Sequence, residues 1–189
     1  MNLIGTEITV NGVSNNAVRL RNTNGLSTTH SGRWTSITLN GNQNNGIYID
    51  DSTSDASATV YATNIHVDGT NNTGILLGSF EEGPHITTKN ATLNMTYSGI
   101  YANSGRGIGI FKGKANLGAG SRIYGNGGDV LIAINAYNYD QAGSNITNEI
   151  SFDGTPREYA QLQATGDDNI GINIENGHEV RDTNTVIKG

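Results

Sequence analysis

Aliphatic and polar residues alternate in short runs along the chain, and the runs come in pairs with a Gly- and Asn-rich gap between them. Ile8 and Val10 are followed by Val18 and Leu20, Ile37 and Leu39 by Ile47 and Ile49, and Ile65 and Val67 by Ile75 and Leu77. Near the C-terminus Leu162 and Ala164 precede Ile172 and Ile174. A period of two over four to five residues is the mark of a strand with one buried face. Each pair therefore predicts two short strands joined by a turn. The segments ITVNGVSNNAVRL (Ile8–Leu20), ITLNGNQNNGIYI (Ile37–Ile49), IHVDGTNNTGILL (Ile65–Leu77) and LQATGDDNIGINI (Leu162–Ile174) align without a gap on I-x-V-x-G-x-x-N-x-G-I-x-I.

LNMTYSGIYA (Leu93–Ala102) reads as a copy that has lost the middle, and RIYGNGGDVLIAI (Arg122–Ile134) as a degenerate one. Early copies start about 28 residues apart. The fifth position holds Gly12, Gly41, Gly69 and Gly166, as suits a corner that needs positive φ. The eighth holds Asn15, Asn44, Asn72 and Asn169. Asn tolerates left-handed backbone, and equivalent Asn residues in successive turns can stack, each side-chain amide bonding the one above. The tenth is small, with Ala17, Gly46, Gly74, Gly99 and Gly171.

A repeat of this length with two or three strands is one coil of a β-solenoid. The few inward aliphatics of a single coil cannot offset the conformational entropy of ordering it, so neighbouring coils must stack to supply backbone partners and the rest of the core. The expectation is an all-β, right-handed parallel β-helix of about six to seven coils, one unit over residues 1–189. ASATVYAT (Ala56–Thr63) and HITTKNAT (His85–Thr92) predict third strands, GSFEEGP (Gly78–Pro84) a loop, and Tyr137–Tyr159 contains an excursion. TVIK (Thr185–Lys188) is strand-like to the finish, so the chain reads as a segment of a longer rod.

Composition narrows the picture. With 26 Gly, abundant Asn, Thr and Ser, and 15% charged residues, neither an all-α fold nor disorder fits. The absence of Cys removes disulfides, thiolate metal sites and Cys nucleophiles. A formal charge of −6 without a Lys/Arg cluster speaks against nucleic acid as a partner. The sequence contains no apolar run long enough to insert in a membrane, and no cofactor or metal is expected.

The run I-x-V-x-G-x-x-N-x-G-I-x-I, together with KANLGAGSRIYGNGG (Lys114–Gly128), resembles the repeats of bacterial autotransporter passenger domains, the pertactin-like β-helices of cell-surface adhesins. The resemblance covers most of the chain. It implies display at the bacterial cell surface or secretion, with outer-membrane anchoring in the parent protein. It also implies a non-enzymatic role in adhesion, aggregation or biofilm contacts, through a host or bacterial surface protein or glycan, or through self-association.

Candidate sites follow from the same alignment. Tyr48, Leu76 and Tyr101 fall at the outward twelfth position of adjacent coils above Arg19, predicting an apolar and aromatic ladder. It serves either as stacked cross-strand pairs or as an interaction surface. Trp34, after Thr28, Thr29 and His30, marks either a carbohydrate-binding loop or a corner anchor. GDDNIGI (Gly166–Ile172) resembles the paired-Asp segment of polygalacturonases, which makes a polysaccharide-active β-helix the alternative. Asp167 and Asp168 nevertheless occupy the repeat's ordinary corner, and no catalytic residue is assigned. His30, His66, His85 and His178 lack metal-ligand spacing, and Asp50/Asp51 and Glu81/Glu82 read as solvated turns. An ice-binding array would need Thr in register, but Thr9 and Thr38 are succeeded by His66 and Asn94.

Overall fold

The computed structural model describes residues 1–21, 23–29, 32–50, 55–78, 91–111, 113–126, 130–135, 149–166, 169–175, 179–183 and 185–188. These residues form strands and turns with no helix, and the strands stack into three parallel sheets of seven, seven and six. The first sheet is built from Asn2–Ile4, Asn24–Thr29, Ala56–Tyr61, Ala91–Thr96, Gly113–Gly118, Glu149–Asp153 and Glu179–Thr183. The second takes Glu7–Val10, Thr35–Leu39, Thr63–Val67, Gly99–Ala102, Arg122–Asn126, Ala160–Thr165 and Thr185–Lys188. The third takes Asn16–Arg21, Asn45–Asp50, Thr73–Leu77, Arg106–Ile110, Val130–Asn135 and Ile170–Glu175. The chain visits the three sheets in turn, one strand each per coil. The molecule is a parallel β-helix.

Its interior is a set of aliphatic columns. Ile8, Ile37, Ile65, Ile100, Ile123 and Leu162 follow one another in register in the second sheet. Val18, Ile47, Ile75, Ile108, Ile132 and Ile172 do so in the third. In the first sheet, which faces them, small and large residues alternate as Ala58, Leu93, Ala115 and Ile150, beside Val60, Met95, Leu117 and Phe152. Phe152 and Ile37 are among the largest side chains withdrawn completely from solvent.

The register corrects the alignment of the fourth coil. Ile65 pairs with Ile100, whereas Leu93 pairs with Ala58 in the first sheet. LNMTYSGIYA is thus not a shortened copy of the two-strand repeat, because it straddles the preceding corner, at Tyr97 and Ser98. The tenth-position glycine of this coil is Gly107, the neighbour of Gly74, and Gly99 lies in the second sheet. A period near 28 accordingly holds for Ile8, Ile37 and Ile65 and then gives way to longer and shorter coils. The third strand of that coil begins at Ala91, and His85–Asn90, most of the GSFEEGP segment and residues 137–148 lie outside the described residues. Asn94 stands between Thr59 and Asn116 in the first sheet, so His66 is followed by Tyr101.

At the corner from the second to the third sheet, Gly12, Gly41, Gly69 and Gly166 all take positive φ. Gly41 is doubly constrained: a Cβ there would stand 2.1 Å from the carbonyl oxygen of Gly12 in the coil before. The left-handed residue beyond the glycine is not the Asn but its predecessor, Ser14, Gln43 or Asn71.

The asparagines stack, though not amide to amide. The Asn15 N–H donates to Asn44 Oδ1 at 2.9 Å, and the Asn44 N–H to Asn72 Oδ1 at 2.7 Å. Asn44 Nδ2 donates to the carbonyls of Gly12 and Asn40, both at 3.0 Å. Asn72 Nδ2 does the same to Gly41 and Asp68, at 3.0 and 2.5 Å. Each amide thereby satisfies backbone groups of two coils and has its own polar atoms paired, as the burial of Asn44 and Asn72 requires. The ladder covers the first three coils. In the fourth, the Ser104 hydroxyl accepts the Gly69 N–H at 2.9 Å and closes it, and in the sixth Asn169 Nδ2 donates to the Thr165 carbonyl.

Asn44→Ala removes the acceptor of the Asn15 N–H and the donor to the Gly12 and Asn40 carbonyls, and is expected to cost about 2 kcal/mol. Asn15→Ala, at the exposed end of the ladder, is expected to cost under about 0.5 kcal/mol. Chemical denaturation of the two variants checks this, and equal midpoints would show that the ladder does not hold the corner.

Candidate functional site

The corner from the first to the second sheet follows a different rule. The residue that opens each second-sheet strand, or immediately precedes it, is Thr6, Thr35, Thr63, Ser98 or Ser121 in the first five coils. Of these, Thr35, Thr63, Ser98 and Ser121 are buried. The hydroxyls of Thr63, Ser98 and Ser121 bond carbonyls at the corner, as Ser121 does to Met95 at 2.8 Å and Ser98 to Thr96 at 2.9 Å. Thr28, buried in the adjoining strand, accepts the Thr63 hydroxyl at 3.0 Å. Among the described residues, Thr35 Oγ1 is the buried side-chain polar atom without a partner.

Directly before this hydroxyl column, at the corner itself, the chain reads Gly5, Trp34, Ala62, Tyr97, Gly120 and Tyr159 in successive coils. Small and aromatic residues alternate. The alternation is steric: a Cβ on Gly120 would fall 2.8 Å from Tyr97 Cδ1, so the small residue makes room for its neighbour's ring. Trp34, Tyr97 and Tyr159 are 49%, 37% and 49% exposed, and they line one groove of about 390 Å³. With a rise of about 4.8 Å per coil, aromatics two coils apart repeat every 9–10 Å or so along the axis.

The groove's floor is the outer face of the second sheet. There His66, Tyr101 and Tyr124 form a continuous stack, with ring centres 5.1 and 5.6 Å apart and planes within 14° and 19° of parallel. Tyr101 lies back over Gly99, where a Cβ would sit 2.7 Å from its ring. Of this face, Asn64, Gly99, Tyr101, Arg122 and Gln161 line the groove, and Tyr124 Oη donates to Gln161 Oε1 at 3.0 Å.

One wall is the turn Thr155–Glu158, closed by reciprocal backbone bonds of 2.9 and 3.1 Å with Pro156 at its second position. It carries Arg157, Glu158 and Tyr159 into the lining. Tyr97 Oη donates to Glu158 Oε2, tying the sixth coil's turn to the fourth coil's corner. That bond to a carboxylate raises the Tyr97 phenol above its ordinary pKa of 10.0. The Tyr61 ring meets Tyr97 edge-on at 5.6 Å.

The expected ladder of Tyr48, Leu76 and Tyr101 is divided between two sheets. Tyr48 and Leu76 pair in the third sheet, and the next residue in that column is Gly109. Tyr101 belongs to the second sheet and joins Trp34 in the groove instead. Arg19, below Tyr48, places its guanidinium 5.1 Å from the centre of that ring and donates to the buried Asp50 carboxylate at 2.5 Å. The hydrogen bond to the Asp50 carboxylate raises the Arg19 pKa against the opposing effect of burial. Arg21 Nε lies 3.6 Å from the same oxygen. Asp50 is therefore an ion-pair residue of the third sheet. No cluster of three or more His, Cys, Asp or Glu residues forms among the described residues. Asp51, Glu81, Glu82, Asp167, Asp168, His30, His85 and His178 lie outside them.

The sequence reading picked out Trp34 and Tyr101 but missed Tyr97, Tyr159 and Arg157. A signal was present: Gly-Thr, Trp-Thr, Ala-Thr, Tyr-Ser and Gly-Ser open successive second-sheet strands. The chain finds no match among protein-family models, curated proteins or solved structures.

Raising the folded-state pKa of Tyr97 makes its neutral form a source of stability that is present below pH about 10 and lost as pH rises through the shifted value. Spectroscopic titration of the phenols should show one late-ionising Tyr, and Glu158→Gln should return it toward the ordinary range. A titration curve identical in the two proteins would show that the Tyr97–Glu158 bond is not formed.

Proposed function

We propose that this chain is a non-enzymatic segment of a bacterial cell-surface adhesin, an autotransporter passenger rod that binds glycans in the groove along its second sheet. The observation that carries the reading is the row Trp34, Tyr97 and Tyr159, exposed beside a polar floor and spanning coils two to six. Exposed aromatic faces flanked by amide and charged side chains suit sugar rings, whose C–H faces stack on π-systems while their hydroxyls need hydrogen-bond partners. The repeat's resemblance to passenger domains supports display at the cell surface, with the rod setting the groove away from the membrane. The Arg19–Tyr48–Leu76 strip on the third sheet is stacked cross-strand packing on this reading.

Trp34→Ala with Tyr159→Ala removes two exposed rings and is expected to change stability by less than about 1 kcal/mol. Binding of the purified protein to glycan-bearing cells should fall about tenfold or more. Undiminished attachment by the folded double variant would remove the groove as the adhesive surface.

A further inference from the structure

The groove differs in charge from the molecule that bears it. The chain as a whole is at −6, yet two arginines, Arg122 on the floor and Arg157 on the wall, line the groove. Among the described residues neither is in an ion pair. Glu158, the acidic residue of the lining, is engaged by the Tyr97 phenol. The aromatic row runs along the rod axis, and Arg122 lies in the fifth coil, between Tyr97 in the fourth and Tyr159 in the sixth.

From this arrangement we infer that the groove takes an extended acidic polysaccharide of the uronate type, lying parallel to the rod axis. The inference rests on the glycan-binding reading above and adds the ligand's charge and direction. Aromatics every second coil, about 9–10 Å apart, meet alternate rings of an extended sugar chain. The guanidinium groups meet its carboxylates, for which a planar fork of N–H donors is the matched geometry.

The test is calorimetric titration of the full chain with a short oligoglucuronate, with the same oligomer after its carboxyls are reduced to alcohols, and with a sulfated neutral oligomer. The oligoglucuronate is expected to bind best. The Arg122→Gln/Arg157→Gln double variant should lose about tenfold or more of that affinity while its weaker binding of the reduced oligomer stays unchanged. Trp34→Ala should weaken both. Equal affinity for the oligoglucuronate and the reduced oligomer overturns the acidic ligand and leaves a neutral-glycan adhesin standing. Preference for the sulfated oligomer, or an arginine double variant that keeps full affinity, also overturns the inference. Failure to bind any oligomer by a protein that still attaches to cells overturns it too, and leaves adhesion through another surface.

Discussion

The backbone ladder between coils fixes almost everything else in this protein. Parallel strands, in register apart from a shift between Asn24 and Leu26, put each residue over its counterpart in the coil before, at a spacing of about 4.8 Å. Every position must therefore tolerate a near copy of itself above and below. Aliphatics do so as Ile37, Ile65 and Ile100. The corner glycines have no alternative, since the Gly12 carbonyl occupies the space that a side chain on Gly41 would need. Asn44, fully buried, is accepted because both ends of its amide find backbone partners in the preceding coil.

The same vertical constraint makes binding surfaces out of local choices. An aromatic ring at the first corner cannot be repeated in the next coil without crowding, so Trp34, Tyr97 and Tyr159 are separated by Ala62 and Gly120. Flat rings on the sheet face can be repeated, and His66, Tyr101 and Tyr124 stack without interruption. The bond from Tyr97 to Glu158 adds a link between coils that are not neighbours, which sets the wall of the groove against its floor.

Much of the fold was legible in the residues themselves. The gapless copies beginning at Ile8, Ile37 and Ile65 fixed the first three coils, their glycine corners and their inward columns. The fourth coil was misaligned because alternating aliphatics look alike in every sheet. Leu93 and Met95 followed by Ile100 and Ala102 carry the same pattern as Ile65 and Val67 followed by Ile75 and Leu77. What separates the two cases is the corner: a Gly with Asn three residues on turns the chain from the second sheet to the third, whereas Gly5, Ala62, Tyr97 and Gly120, left-handed and followed by Ser or Thr, turn it from the first to the second. Half of the groove was missed for the same reason. Tyr97 and Tyr159 gain meaning only once the register sets them in line with Trp34, far away in the chain. The asparagine column was foreseen, but its bonding was not, because sequence gives position and not the direction in which an amide points.

That column has an evolutionary corollary. Between Asn15 and Asn72 the coils are nearly equal in length, with steps of 29 and 28 residues, and alike in their corner contacts, each handing the next one carbonyl and one amide nitrogen. A duplicated or excised unit in this stretch would reproduce the joints already there, so recombination can lengthen or shorten the molecule without inventing a new interface. Beyond Ser104 the joints become individual, and that freedom ends.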